Sequence, residues 1–114
     1  MEAVRLLRCH CDDWGWNGSI VSVQNRYNLV DRSGVEVLDA CERDGIAFVP
    51  YFPLATGGLG ELDALRTPAR RLGVPESTVA LAWLLRRSPV IIPIPGTKSV
   101  PHLEHNRSAA AIAP

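Results

Sequence analysis

Lysine is nearly absent from this sequence: Lys98 stands alone among twelve basic residues, the rest being arginine. The twelve basic residues are balanced by twelve acidic ones. A chain without net charge exerts no general pull on nucleic acid or acidic lipid, so neither partner is expected. Cysteine is sparse and odd in number, at Cys9, Cys11 and Cys41. That count does not make a disulfide framework and suits a reducing compartment. No apolar run approaches the roughly 20 residues of a membrane helix. Met1 to Cys11 lacks the apolar core of a signal peptide. A cytoplasmic, soluble protein is the expectation.

Several chemistries are also missing. There is no G-x-S-x-G elbow, no P-loop and no defensible carboxylate pair. Gly57-Gly58-Leu59-Gly60 fails as a dinucleotide fingerprint, because Asp63 occupies the last required glycine position. It reads as a loop, of the kind that folds over a ligand. Cys9-His10-Cys11 with Asp12 and Asp13 is a poor metal set, since zinc ligands are usually separated by two to four residues. His102 and His105 have no nucleophile or carboxylate arranged around them, which favours a surface role over catalysis.

What is present is a 114-residue chain with 46% apolar and 21% charged residues, enough for one small domain. The first eighteen residues have no clear period and remain unassigned; the regular pattern occupies residues 19–114. Ile20, Val21 and Val23 suit a strand ending near Gln24. Ser33 and Glu36 have capping-box spacing and open a helix that runs to about Asp44, with Gly45 following it. Ile46-Ala47-Phe48-Val49 reads as a buried strand that ends at Pro50. Thr67-Pro68 should break Glu61–Gly73 into two helical pieces. A stronger helix starts at Pro75 and runs through Arg87. Val90-Ile91-Ile92 reads as a third strand, and a last helix covers about Val100 to Ala111. Strands alternating with helices imply an α/β fold with parallel, doubly covered strands.

Ligands bind at the C-terminal ends of such strands. Thr97-Lys98-Ser99 lies at a helix start, where free N–H groups and the helix dipole favour an anion. Gly96 lets a ligand approach the backbone. The alternative is a capped helix with a solvated lysine, and local pattern alone favours it. Tyr51, held between prolines, offers a ring for stacking, or is an ordinary half-buried tyrosine. Gln24 offers a donor and an acceptor suited to a carboxamide.

Four motifs in order resemble the bacterial aldo-keto reductases. They are Val21-Ser22-Val23-Gln24-Asn25-Arg26-Tyr27-Asn28, then Gly45 to Ala55, then Val79 to Leu85, then Ile92-Pro93-Ile94-Pro95-Gly96-Thr97 with Leu103-Glu104-His105-Asn106. The resemblance implies a partial (β/α)8 TIM barrel, comprising its last three strands and helices. It also implies NADP(H) as cofactor and a small-molecule carbonyl as the parent family's substrate. By that match Gln24 holds the nicotinamide carboxamide, and Tyr51 stacks on the ring. The backbone of Phe52 to Leu54 passes the pyrophosphate. Gly96, Thr97 and Lys98 take the 2′-phosphate end, with His102 where many members carry arginine, and Asn106 meets the adenine edge.

Two departures from the family follow. His105 replaces an acidic residue that usually precedes the asparagine. The family's catalytic Asp, Tyr, Lys and His have no counterpart, since Tyr27, Tyr51 and Lys98 match other positions. The expectation is therefore a C-terminal fragment of an oxidoreductase, inactive alone. A non-catalytic NADP(H)-binding or barrel-pairing module remains the alternative, and a metal-linked regulator through Cys9-His10-Cys11 is a third. Three parallel strands leave two open edges, which invites self-association.

Overall fold

The computed structural model describes residues 20–29, 31–51 and 63–112. Its elements in chain order are β1 (Ser22–Arg26), α1 (Val35–Asp44), β2 (Ala47–Tyr51), α2 (Asp63–Leu72), α3 (Glu76–Arg87) and α4 (Val100–Ile112). The unassigned N-terminal segment, the Cys9-His10-Cys11 stretch and the Gly57–Gly60 loop lie outside the described residues.

β1 and β2 run parallel, with Ser22 opposite Ala47 and Arg26 opposite Tyr51. The helix between them makes the crossover that parallel strands require. β1 begins and ends slightly later than its β-branched residues suggested. β2 continues through Pro50, which was expected to end it. The reason lies in the side to which each backbone group points. Phe48 donates its N–H to the Val90 carbonyl and accepts from the Ile92 N–H, at 2.8 and 2.9 Å. Backbone groups alternate sides along a strand, so Pro50 lacks its N–H on the Val90–Ile92 side, not toward β1. The β1–β2 ladder is therefore uninterrupted.

The expected third strand is reduced. Ile91 forms a single parallel bridge with Phe48, and the described sheet has two strands. Pro93 and Pro95 follow at once and cannot donate to a ladder, so pairing stops after Ile92. The described fold is thus α/β with an open sheet.

The helices cover one face of this sheet. Leu38, Ala40 and Cys41 of α1 and Leu81, Ala82 and Leu84 of α3 meet Val23, Tyr27, Phe48 and Ile91 in one buried cluster. Each large apolar side chain buried there contributes on the order of 1.5–3 kcal/mol. Tyr27 sets its ring edge against Phe48 and stacks on Trp83, with centroids 6.0 Å apart in both cases. Arg87, at the end of α3, donates to Asp39 of α1 at 3.1 Å, and Ser88 donates to Glu42 at 3.0 Å. Burial, with Asp44 nearby, pushes the Cys41 thiol above its ordinary pKa.

Two helix boundaries differ from the sequence reading. Gly34, not Ser33, occupies the N-cap of α1, and no side chain caps it. The Ser33 hydroxyl is engaged by Asp31 instead, at 2.7 Å. α2 runs unbroken with Pro68 inside it. The missing bond would have ended on the carbonyl of Ala64, an exposed residue, where water replaces the lost donor at modest cost. The helix ends follow expectation. Gly45 and Gly73 adopt φ 67° and 66°, the left-handed conformation that closes a helix without Cβ strain.

Candidate functional site

The open face of the sheet carries the first pair of candidate residues. In β1 the exposed residues are Ser22, Gln24 and Arg26, while Val23 turns toward the helices. In β2 the same alternation puts Ala47, Val49 and Tyr51 on the open face. Gln24 pairs with Val49 and Arg26 with Tyr51, so Gln24 and Tyr51 are diagonal neighbours on one surface. Tyr51 is 39% exposed, which leaves a ring face free for a planar partner.

The turn after β1 is rigidly built. The Asn28 N–H donates to the Asp31 carbonyl at 2.9 Å, and the Asp31 N–H donates to Asn28 Oδ1 at 2.8 Å. Asn28 is buried, so these bonds satisfy a side chain that would otherwise be costly there. Arg32 lies over the Trp83 ring, 4.7 Å from its centroid, tying the turn to α3. Hydrogen bonds from the Ser33 hydroxyl and backbone, with Arg26 nearby, hold the Asp31 carboxyl below its ordinary pKa.

The second group of candidates surrounds the start of α4. A pocket of about 360 Å³ is lined there by Gly96 and Thr97, by His102, His105 and Asn106 of α4, and by Pro75 and Ser77 of α3. Ser99 precedes the helix. Its N–H donates to Thr97 Oγ1 at 3.1 Å, and its own hydroxyl accepts from the His102 N–H at 3.4 Å. Lys98 is exposed beside this turn. A Cβ built on Gly96 meets no heavy atom within 4 Å, so the space over that backbone is open to a ligand.

Packing of α4 on α3 shapes this pocket. The buried Thr78 hydroxyl donates to the His105 carbonyl at 3.3 Å, and the Ser108 hydroxyl donates to the same oxygen at 2.7 Å. The structure therefore joins Gly96, Thr97, His102 and Asn106 in one pocket with Lys98 at its border. Gln24 and Tyr51 stand apart on the open sheet face, and Phe52 and Leu54 lie outside the described residues. Sequence reading missed Ser77 and Pro75. No local signal marks them, because a neighbouring helix brings them in by packing.

Among the described residues no group of three or more His, Cys, Asp or Glu is arranged to hold a metal ion. No described helix is long and apolar enough to cross a membrane.

Residues 14–114 match the model of the aldo/keto reductase family. The chain belongs to that family. It is 51% identical over 92 residues to pyridoxine 4-dehydrogenase of Escherichia coli, covering 79% of this chain and 32% of that protein. A thermostable aldo-keto reductase solved with the inhibitor epalrestat superposes with a TM-score of 0.82 at 32% identity. That match covers 94% of this chain and 39% of the other. An aldo-keto reductase from Klebsiella pneumoniae, solved in complex with NADPH, gives 0.72 at 28% identity, over 80% of this chain and 34% of the other. The solved aldo-keto reductases are (β/α)8 barrels, and this chain matches part of each. It spans about a third of the length of the curated relatives it matches, 31% of one and 32% of another.

Proposed function

We propose that this aldo-keto reductase chain binds NADP(H) and serves the reduction of a small-molecule carbonyl to an alcohol. The pocket at the start of α4 carries the reading. Its donors fit a phosphorylated adenosine: the Ser77 and Thr97 hydroxyls, the imidazoles of His102 and His105, and the helix N-terminus all favour an anion. Thr97 and Lys98 hold the 2′-phosphate, Gly96 admits it against the backbone, and Asn106 meets the adenine edge. At the other end, Gln24 hydrogen-bonds the nicotinamide carboxamide and Tyr51 stacks on the ring. The backbone of Phe52 to Leu54 passes the pyrophosphate between them.

When bound, the nicotinamide supplies the hydride for the carbonyl carbon. The chain's own residues orient the ring and anchor the far phosphate. The proton for the carbonyl oxygen comes from elsewhere. Tyr27 is only 1% exposed, packed between Phe48 and Trp83, and Tyr51 is reserved for the ring. The chain is thus read as the C-terminal part of a reductase, without turnover alone.

NADPH fluorescence titration, paired with NADH, tests the binding. Lys98→Ala should weaken NADPH by about fivefold, the upper range for an exposed charge contact, and leave NADH nearly unchanged. Equal loss for both would count against a 2′-phosphate site. NADPH oxidation with a reactive aldehyde tests the missing proton donor; turnover by this chain alone would sink that part of the reading.

The open sheet favours a second reading, a non-catalytic cofactor-binding or barrel-pairing module. Val21 and Ile92 are 77% and 54% exposed, beside strand edges that attract partners. Sedimentation across a concentration series separates the readings, since a module of this kind self-associates and a monomer at all concentrations excludes it.

A further inference from the structure

His102 and His105 stand three residues apart on α4, a spacing that puts them on one helix face, and both line the phosphate pocket. Both are exposed. Among the described residues their imidazoles have no hydrogen-bond or ion-pair partner. His102 is bonded through its N–H and His105 through its carbonyl. The charged groups around them are Lys98 before the helix, Glu104 and Arg107 on it, and Glu76 beside Ser77 at the start of α3. Two carboxylates and two fixed cations nearly cancel. The charge offered to a ligand here thus depends on the imidazoles. Imidazole is the side chain that changes charge near neutrality, whereas ammonium and guanidinium groups keep theirs.

We propose that His102 and His105 make recognition of the 2′-phosphate proton-linked. The pocket separates 2′-phosphorylated from unphosphorylated adenosine most strongly when its imidazoles are charged. It loses part of that selectivity as pH rises past neutrality. This inference rests on reading the pocket as the adenosine-phosphate site. The direction is unambiguous. A phosphate monoester takes its second charge at a pKa of about 6, so raising the pH only makes the ligand more anionic. A fall in affinity with rising pH must then come from positive charge lost by the protein. An exposed charge contact of this kind is worth about threefold in affinity, so two imidazolium contacts give roughly tenfold.

Calorimetric titration of the full chain with 2′,5′-ADP and with 5′-AMP, at about pH 6.5 and about pH 8.5, spans the imidazole range. The 5′-phosphate is common to both ligands and cancels in their affinity ratio. The ratio should fall about tenfold across that window. It should be low and flat in the His102→Gln/His105→Gln double variant, and flat but high in His102→Arg/His105→Arg. Lys98→Met should lower it equally at both pH values. A pH-independent ratio in the unmodified chain overturns the inference and leaves the phosphate site standing. The same slope in the double glutamine variant, or loss of the slope in Lys98→Met, also overturns it. A ratio of one at both pH values overturns the phosphate site as well.

Discussion

Thr78, buried in α3, donates its hydroxyl to the backbone carbonyl of His105 in α4 at 3.3 Å. The bond links the two helices whose facing residues, Ser77 on one side and His102, His105 and Asn106 on the other, form the pocket wall. Position in this site is thus set by one side chain that never enters it.

Thr78→Val keeps the shape and removes the donor. The His105 carbonyl retains its bond from Ser108, so it is not orphaned. The expected loss is about 1 kcal/mol of stability, read from urea denaturation. Because α4 is then less firmly held, affinity for 2′,5′-ADP should also fall. Weakened stability with unchanged affinity would separate the hydrogen bond from the site.

Gly96→Ala tests the open approach to the backbone. The new methyl meets no protein atom within 4 Å, so thermal stability should not drop. Ligand affinity should drop several-fold, because the methyl stands where the ligand comes near. An unchanged dissociation constant by calorimetry would move the ligand away from Gly96.

Phe48→Ala tests the core. Phe48 is fully buried and touches both the Tyr27 ring and the Ile91 bridge. Such a truncation costs about 3–5 kcal/mol, comparable to the whole stability of a small domain. Circular dichroism should show lost cooperative unfolding at ordinary temperature.

Asp31 gives a pH prediction with a definite sign. Its folded carboxyl titrates below the ordinary value of 3.8, chiefly because the Ser33 hydroxyl and N–H donate to it. A depressed carboxyl stabilises the fold above its ordinary pKa, and that contribution is lost as pH falls through the lowered value. Carbon-detected NMR titration should place the Asp31 midpoint below 3.8. Ser33→Ala should move it upward. An unmoved midpoint would show that Ser33 is not the cause.

Much of this architecture was legible in the residues themselves. Gly45 ends α1 because only a residue without Cβ takes a left-handed turn freely, and such a requirement is local. The uniformly apolar Phe48 stretch announced a buried parallel strand for the same kind of reason. The motif order from Gln24 to Asn106 carried the family. What escaped the sequence involved partners distant along the chain. Pro50 stays within β2 because its missing N–H faces the side where pairing has already ended, and only the neighbouring segment reveals that side. Ser33 turns to Asp31 rather than capping α1, a competition between two good acceptors that spacing alone does not resolve. Ser77 reaches the pocket only because α3 and α4 pack together. Local conformation follows from what each residue type permits at its own backbone. The pocket required tertiary structure because its walls come from segments that sequence separates and packing joins.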